Sequence, residues 1–197
     1  MKTIKPPELG KRMRYSLLSS IVLLITFFIT TGILIISFMS SRSRFLNYIL
    51  VFVNIMEMPF FLITLYGFWL ISRYLRNRLI EYSIYILTII YVPFILIDSI
   101  LTWLNMNQNI LYYAISVIFI LIDAIISIIF SVGIIQLRVR MGHYATLLGV
   151  ALFFQSLISA TVIFYLIGYF MNIVVYPLMA LFFYRASKEF SIADLQL

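Results

Sequence analysis

The chain of 197 residues contains no cysteine, which excludes disulfides, thiolate metal sites and a cysteine nucleophile. Histidine occurs once, as His143 in the basic stretch RVRMGH. Haem held between two histidines and paired-histidine metal sites therefore cannot be built within the chain, and a lone loop histidine reads as a solvated surface residue. Charge is also scarce, at 11% of residues against roughly 25% in a soluble domain. Gly-rich phosphate loops and Glu-rich metal motifs are missing, and no stretch resembles a soluble core or a linker. A single membrane domain, residues 1–197, is assigned.

What is present is apolar: 64% of residues are hydrophobic and the mean hydropathy is +1.11. Runs long enough to cross a bilayer, about 20 residues each, occupy residues 16–39, 46–71, 83–104 and 110–137. The N-terminal MKTIKPPELGKRMR is basic, but the apolar run after it exceeds a signal-peptide core of about 7 to 15 residues. With no small-residue cleavage site following, it reads as a retained first span. Residues 145–184 form one further apolar stretch, too long for a single helix across about 30 Å at about 1.5 Å per residue. Two tight spans, 145–167 and 170–186, accommodate it if the chain turns at GYFMN, residues 168–172, where Gly and Asn supply turn chemistry. The expected fold is an all-α integral membrane protein, a polytopic bundle of six transmembrane helices, with five spans as the alternative.

Charge favours six, because cytoplasmic loops carry the excess of Lys and Arg. Six spans place Lys2, Lys5, Lys11, Arg12, Arg14, Arg73, Arg76, Arg78, Arg138, Arg140, Arg185 and Lys188 on one side and only Arg42 and Arg44 on the other, a split of 12 to 2. Five spans move Arg185 and Lys188 across and give 10 to 4. Both termini are expected in the cytoplasm of a multi-pass cell-membrane protein. The net charge of +7 then follows from topology, and Arg73, Arg76, Arg78, Arg138 and Arg140 are expected to meet anionic lipid headgroups. No aromatic-interleaved basic motif calls for nucleic acid.

Polar residues inside the runs recur at helical spacing: Ser19, Thr26, Thr30 and Ser37; Asn47, Asn54, Glu57 and Thr64; Thr88, Tyr91, Asp98 and Thr102; Tyr112, Ser116, Asp123, Ser127 and Ser131; and, more weakly, Gln155 and Ser159. Such stripes belong inside a bundle, since lipid offers them no hydrogen-bond partner, although Ser and Thr also serve simply as glue between packed helices. The acids weigh more, because a charge at a span centre costs about 2.5 to 3.5 kcal/mol even on the mildest insertion scale. Glu57, Asp98 and Asp123 are the intramembrane carboxylates, and no Lys or Arg lies at their depth. Pro59 and Pro93, near Glu57 and Asp98, free the carbonyls of Ile55 and Ile89.

Asp98 and Asp123 each close a copy of the pentapeptide FILID. Their depths differ, because the third span runs outward and the fourth inward: Asp98 lies about 9 Å from the outer edge, Asp123 about 20 Å and Glu57 about 16 Å. The offset of about 12 Å between the aspartates argues against an aspartyl-protease dyad, which needs two carboxylates about 3 Å apart. The Tyr-Asp and Gly-x-Gly-Asp patterns of intramembrane aspartyl proteases are absent as well, and the pentapeptide match reads as coincidence in an isoleucine-rich chain. No catalytic, cofactor-binding or metal-ligating set is found, and the chain is expected not to be an enzyme. The first functional expectation is a non-catalytic subunit or scaffold of a larger membrane assembly, with lipids and other subunits or further copies as partners. The alternative is a small transporter or proton or cation conductor, with Glu57, Asp98 and Asp123 as a relay.

Overall fold

The computed structural model describes residues 6–39, 44–104, 110–161 and 164–192, and these form α-helices with no strand among them. In chain order they are α1 Pro6–Met39, α2 Arg44–Leu75, α3 Arg78–Trp103, α4 Ile110–Gln136, α5 Arg138–Met141, α6 His143–Ala160, α7 Tyr165–Phe170 and α8 Asn172–Ile192. Six stretches are long and apolar enough to cross a membrane: Glu8–Ile36, Tyr48–Leu75, Arg78–Trp103, Tyr112–Gln136, His143–Ala160 and Leu166–Phe190. Helix is what such sequences adopt in lipid, where every backbone donor and acceptor must be satisfied within its own segment. Six spans, not five, are therefore present.

Consecutive spans run antiparallel and close into a ring. Helix α1 packs on α2, α2 on α3, α3 on α4, α4 on α6, and α6 on α8, which returns to α1. Polar side chains mark the seams: Ser16 Oγ donates to the Ile63 carbonyl at 3.1 Å, Ser19 Oγ to that of Phe60, and Thr64 Oγ1 to Ser19 Oγ at 3.2 Å. The α4–α6 seam depends on Gly149, where an added Cβ would fall 2.9 Å from the Ser131 carbonyl oxygen.

The start of α1, the α2–α3 turn, α5 and the end of α8 share one end of the bundle, here called the basic end. It holds the ion pairs Glu8–Arg12, Arg73–Glu81 and Arg185–Glu189, at 2.6, 2.7 and 2.5 Å. The main buried apolar cluster extends from mid-bundle to this end, including Leu9, Met13, Ile71, Ile80, Ile134 and Ala186. At its centre Phe68 meets Phe130, Phe182 and Phe183, with ring centroids 5.2, 5.5 and 4.6 Å away. A second aromatic group lies in the opposite half, where buried Phe27 of α1 meets Tyr169 and Tyr176 with ring centroids 4.9 and 6.2 Å away. The main buried apolar cluster nevertheless lies toward the basic end.

Two expected boundaries are corrected. Residues 168–172 do not turn the chain between spans. The fifth span ends at Ala160, not 167, and the sixth begins at Leu166, not 170. Gly168 is used for close approach instead, since a Cβ there would run into the Ser159 side chain of α6. Only a break at Met171 divides α7 from α8, and it is bridged by bonds from Val174 and Val175 N–H to the Met171 carbonyl at 2.9 and 3.0 Å. The second correction concerns the loop expected between residues 71 and 83: it shrinks to Arg76–Asn77 because both helices continue beyond their apolar runs. Ser37 and Asn47 of the polar stripes lie outside the described side chains, as does Arg42.

Candidate functional site

A cavity of about 300 Å³ lies within the ring, above the aromatic cluster. Phe68 and Phe130 form part of its floor, and its walls come from α2, α3, α4, α6, α7 and α8. Two carboxylates border it, Glu57 on α2 and Asp123 on α4. These helices are not neighbours in the ring, since α3 stands between them. Asp123 sits halfway along α4 yet is open to a water-sized probe, because its face of the helix borders the cavity instead of a packed neighbour. Its carboxylate has no hydrogen-bond or ion-pair partner among the described residues. Glu57 is half-buried and lies near the Thr26 hydroxyl of α1, which itself donates to the Leu23 carbonyl at 3.1 Å.

The opposite wall is amide and hydroxyl. Gln155 Nε2 of α6 donates to Asn172 Oδ1 of α8 at 2.8 Å, with Ser156, Ser159 and Tyr169 beside them. The Tyr169 hydroxyl lies 3.3 Å from Thr31 Oγ1, which ties this wall to α1. Between the carboxylates stand two ring pairs: Phe61 with Tyr91, centroids 4.1 Å apart, and Phe94 with Phe119 at 4.5 Å. Spacing explains the arrangement. Phe61 is four residues after Glu57 and Phe119 four before Asp123, so each ring shares a helix face with its carboxylate, while Tyr91 and Phe94 present one face of α3 to both.

The FILID copies meet here. Phe94 and Phe119, their first residues, pack against each other across α3 and α4, with their ring planes tilted by 33°. Because the helices are antiparallel, the two aspartates diverge from that contact in opposite directions, by about 6 Å each along the axes. Asp123 goes toward the basic end and into the cavity. Asp98 goes the other way and is not among the cavity's lining residues; it accepts a bond from the Tyr112 hydroxyl at 2.6 Å. The polar stripes of α3 and α4 meet around that bond, with Thr102 and Ser116 near the Tyr112 hydroxyl. The structure therefore brings together Glu57 and Asp123 and separates Asp98 from both.

No protein-family model, curated protein or solved structure matches the chain. The site is read from its own chemistry. Among the described residues no three His, Asp or Glu side chains converge as metal ligands, and none of the cavity's lining residues is Lys, Arg or His. Gln155, Asn172, Tyr169 and the aromatic pairs were not singled out by sequence as one site. The spacing of four from each acid to a phenylalanine was a usable signal, whereas Asn172 had the look of a turn residue.

The five arginines expected at lipid headgroups all lie at the basic end. Arg73 is engaged within the protein: besides its pair with Glu81, it donates to the Tyr85 hydroxyl at 3.3 Å and lies 4.9 Å from the Trp69 ring centroid. Arg76, Arg78, Arg138 and Arg140 are exposed on the short connections. Arg76, Arg78 and Arg140 line a shallow groove of about 410 Å³ with Asn77 and Gln136.

Proposed function

We propose that this protein is a small membrane transporter that moves protons or other cations, with the central cavity as its transport site and Glu57 and Asp123 as the carboxylates on which transport depends. One observation carries the reading: two acids from non-adjacent spans face a common cavity inside a closed ring of helices. Intramembrane acids facing an internal cavity are a usual mark of an ion or proton pathway, and transport sites commonly lie near the midplane between interrupted helices. Pro59, Pro93 and Pro177 lie within α2, α3 and α8, and with the break at Met171 they provide points at which the ring can flex. The aromatic cluster around Phe68 is the closed gate on the basic side, so the state described is closed there.

The charge asymmetry supports a cytoplasmic basic end, with both termini on that side of the cell membrane. Exposed Arg76, Arg78, Arg138 and Arg140 anchor that end on anionic lipid. A subunit or scaffold whose acids pair with another chain fits less well, because Asp98 is bonded within the chain and the other two acids face inward. The chain performs no catalysis in this reading.

Charge movement across a solid-supported membrane carrying the purified protein tests the proposal, using jumps in proton, sodium, potassium and propylammonium concentration. A protein-dependent current is expected for at least one of these cations, and Glu57→Gln or Asp123→Asn should abolish it. Asp98→Asn should retain most of it, because Asp98 is held by Tyr112 outside the cavity. Wild-type membranes electrically indistinguishable from empty ones would rule the proposal out.

A further inference from the structure

We infer that the cavity's ligand is a small organic amine, a cation whose apolar part is an aromatic or compact hydrocarbon group. The inference rests on the cavity being a transport site and goes further by naming the chemistry it selects. Four features converge on it. Only acidic groups, Glu57 and Asp123, carry formal charge among the lining residues, so a cation is the charge the site can neutralise and an anion is repelled. Asp123 has no partner among the described residues, and a carboxylate facing a cavity deep in a bundle is stabilised by a donor brought in from outside.

The third feature separates an organic cation from a bare metal ion. A sodium or potassium site needs several oxygens closing on one point, whereas α3, the helix between the two acids, lines the cavity with Leu87, Ile90, Tyr91 and Phe94, of which Tyr91 alone carries a side-chain oxygen. Phe61 and Tyr91 flank the side of Glu57, and Phe94 and Phe119 that of Asp123. Each carboxylate has a ring one helical turn away on its own helix, so an ammonium at either acid has a ring close by to attract it as cation–π. Size is the fourth feature. At about 300 Å³ the cavity stands at the lower limit of small-molecule pockets, which run from about 300 to 1,000 Å³, so the ligand is a small molecule. The amide wall of Gln155 and Asn172 offers hydrogen bonds to a polar substituent on the far side.

The test is a binding measurement on the purified full chain in detergent, by titration calorimetry and by the shift of its unfolding temperature. Three probes share a phenylethyl group and carry a positive, a neutral and a negative end group: 2-phenylethylamine, 2-phenylethanol and 3-phenylpropionate. Propylamine is added as an amine without a ring. Saturable binding of 2-phenylethylamine is expected, with the alcohol and the acid weaker by about tenfold or more, the effect of losing one charge-assisted contact. Propylamine should fall between them. Glu57→Gln and Asp123→Asn should each weaken 2-phenylethylamine by about tenfold, and Asp98→Asn should leave it unchanged.

Equal binding of the alcohol and the amine, or no saturable binding of either amine to the wild-type protein, overturns the inference without recourse to any variant. So does an Asp98→Asn loss as large as that of Glu57→Gln. Amine-selective binding without any current upholds the ligand and refutes transport. Conversely, carboxylate-dependent current carried by inorganic cations alone, with no amine selectivity, refutes the ligand class and leaves transport standing.

Discussion

Asn77 shows how much one residue settles at the basic end. Its Oδ1 accepts from the Ile80 N–H at 3.2 Å and caps α3, and its own N–H bonds the Ser72 carbonyl at 2.8 Å where α2 ends. Its Nδ2 donates to the Gly133 carbonyl at 3.1 Å and to Gln136 Oε1 at 3.3 Å on α4. The preceding Arg76 sits at φ 55°, in the left-handed region, to make the two-residue connection. Removing the side chain in Asn77→Ala loses the cap and the tie to α4 together, and a destabilisation of about 1 to 2 kcal/mol is expected. Asn77→Asp keeps an oxygen for the cap but has no Nδ2 donor, so it should lose less than Asn77→Ala. Denaturant unfolding in mixed micelles measures both, and equal losses in the two variants would show that the cap contributes nothing. An asparagine between two helices is readable from sequence as a cap, but its bond to Gly133, 56 residues on, is not.

Helix α2 shows the same division at the scale of an element. Helical spacing already aligned Glu57 and Thr64, and the structure puts both on the inner side of the bundle, with Thr64 1% exposed. Spacing could not say that Phe68, one turn beyond Thr64, would meet rings from α4 and α8 and become the floor of a cavity. Apolar residues look alike in a membrane sequence, because the lipid-facing and core-facing sides of a span are both hydrophobic. If this cluster is the inner gate, Phe68→Ala should make protein-containing vesicles leak a pH-sensitive dye's protons without dependence on Glu57 or Asp123. It should also cost about 3 to 5 kcal/mol of stability through lost packing. Phe68→Leu keeps an apolar side chain in the gap and should stay tight. A Phe68→Ala protein that folds and is no leakier than wild type would show that the seal lies elsewhere.

For the whole molecule, orientation is the property on which the remaining functional reading depends, and the absence of native cysteine makes it simple to measure. Thr161 is exposed at the end opposite the basic loops, and His143 is exposed at the basic end. A membrane-impermeant maleimide should label Thr161→Cys on intact cells and reach His143→Cys only after permeabilisation. Labelling in the reverse pattern would put the basic end outside and turn the closed gate toward the exterior.

Span number, apolar character and the position of each acid along its helix were legible in the one-dimensional pattern, because helical rise converts residue number directly into distance along the axis. The offset between the FILID aspartates was legible for the same reason, and the Phe94–Phe119 contact agrees with it. Which acids share a space was not legible. That depends on the order of helices around the ring and on the rotation of each about its own axis. Contacts between residues far apart in sequence set both, including the closure of α8 onto α1 and the fit of Gly149 against Ser131. Position along the axis is a property of a single helix, so sequence determined it; the pairing of Glu57 with Asp123 around a cavity is a property of six helices packed together, and only the tertiary structure decided it.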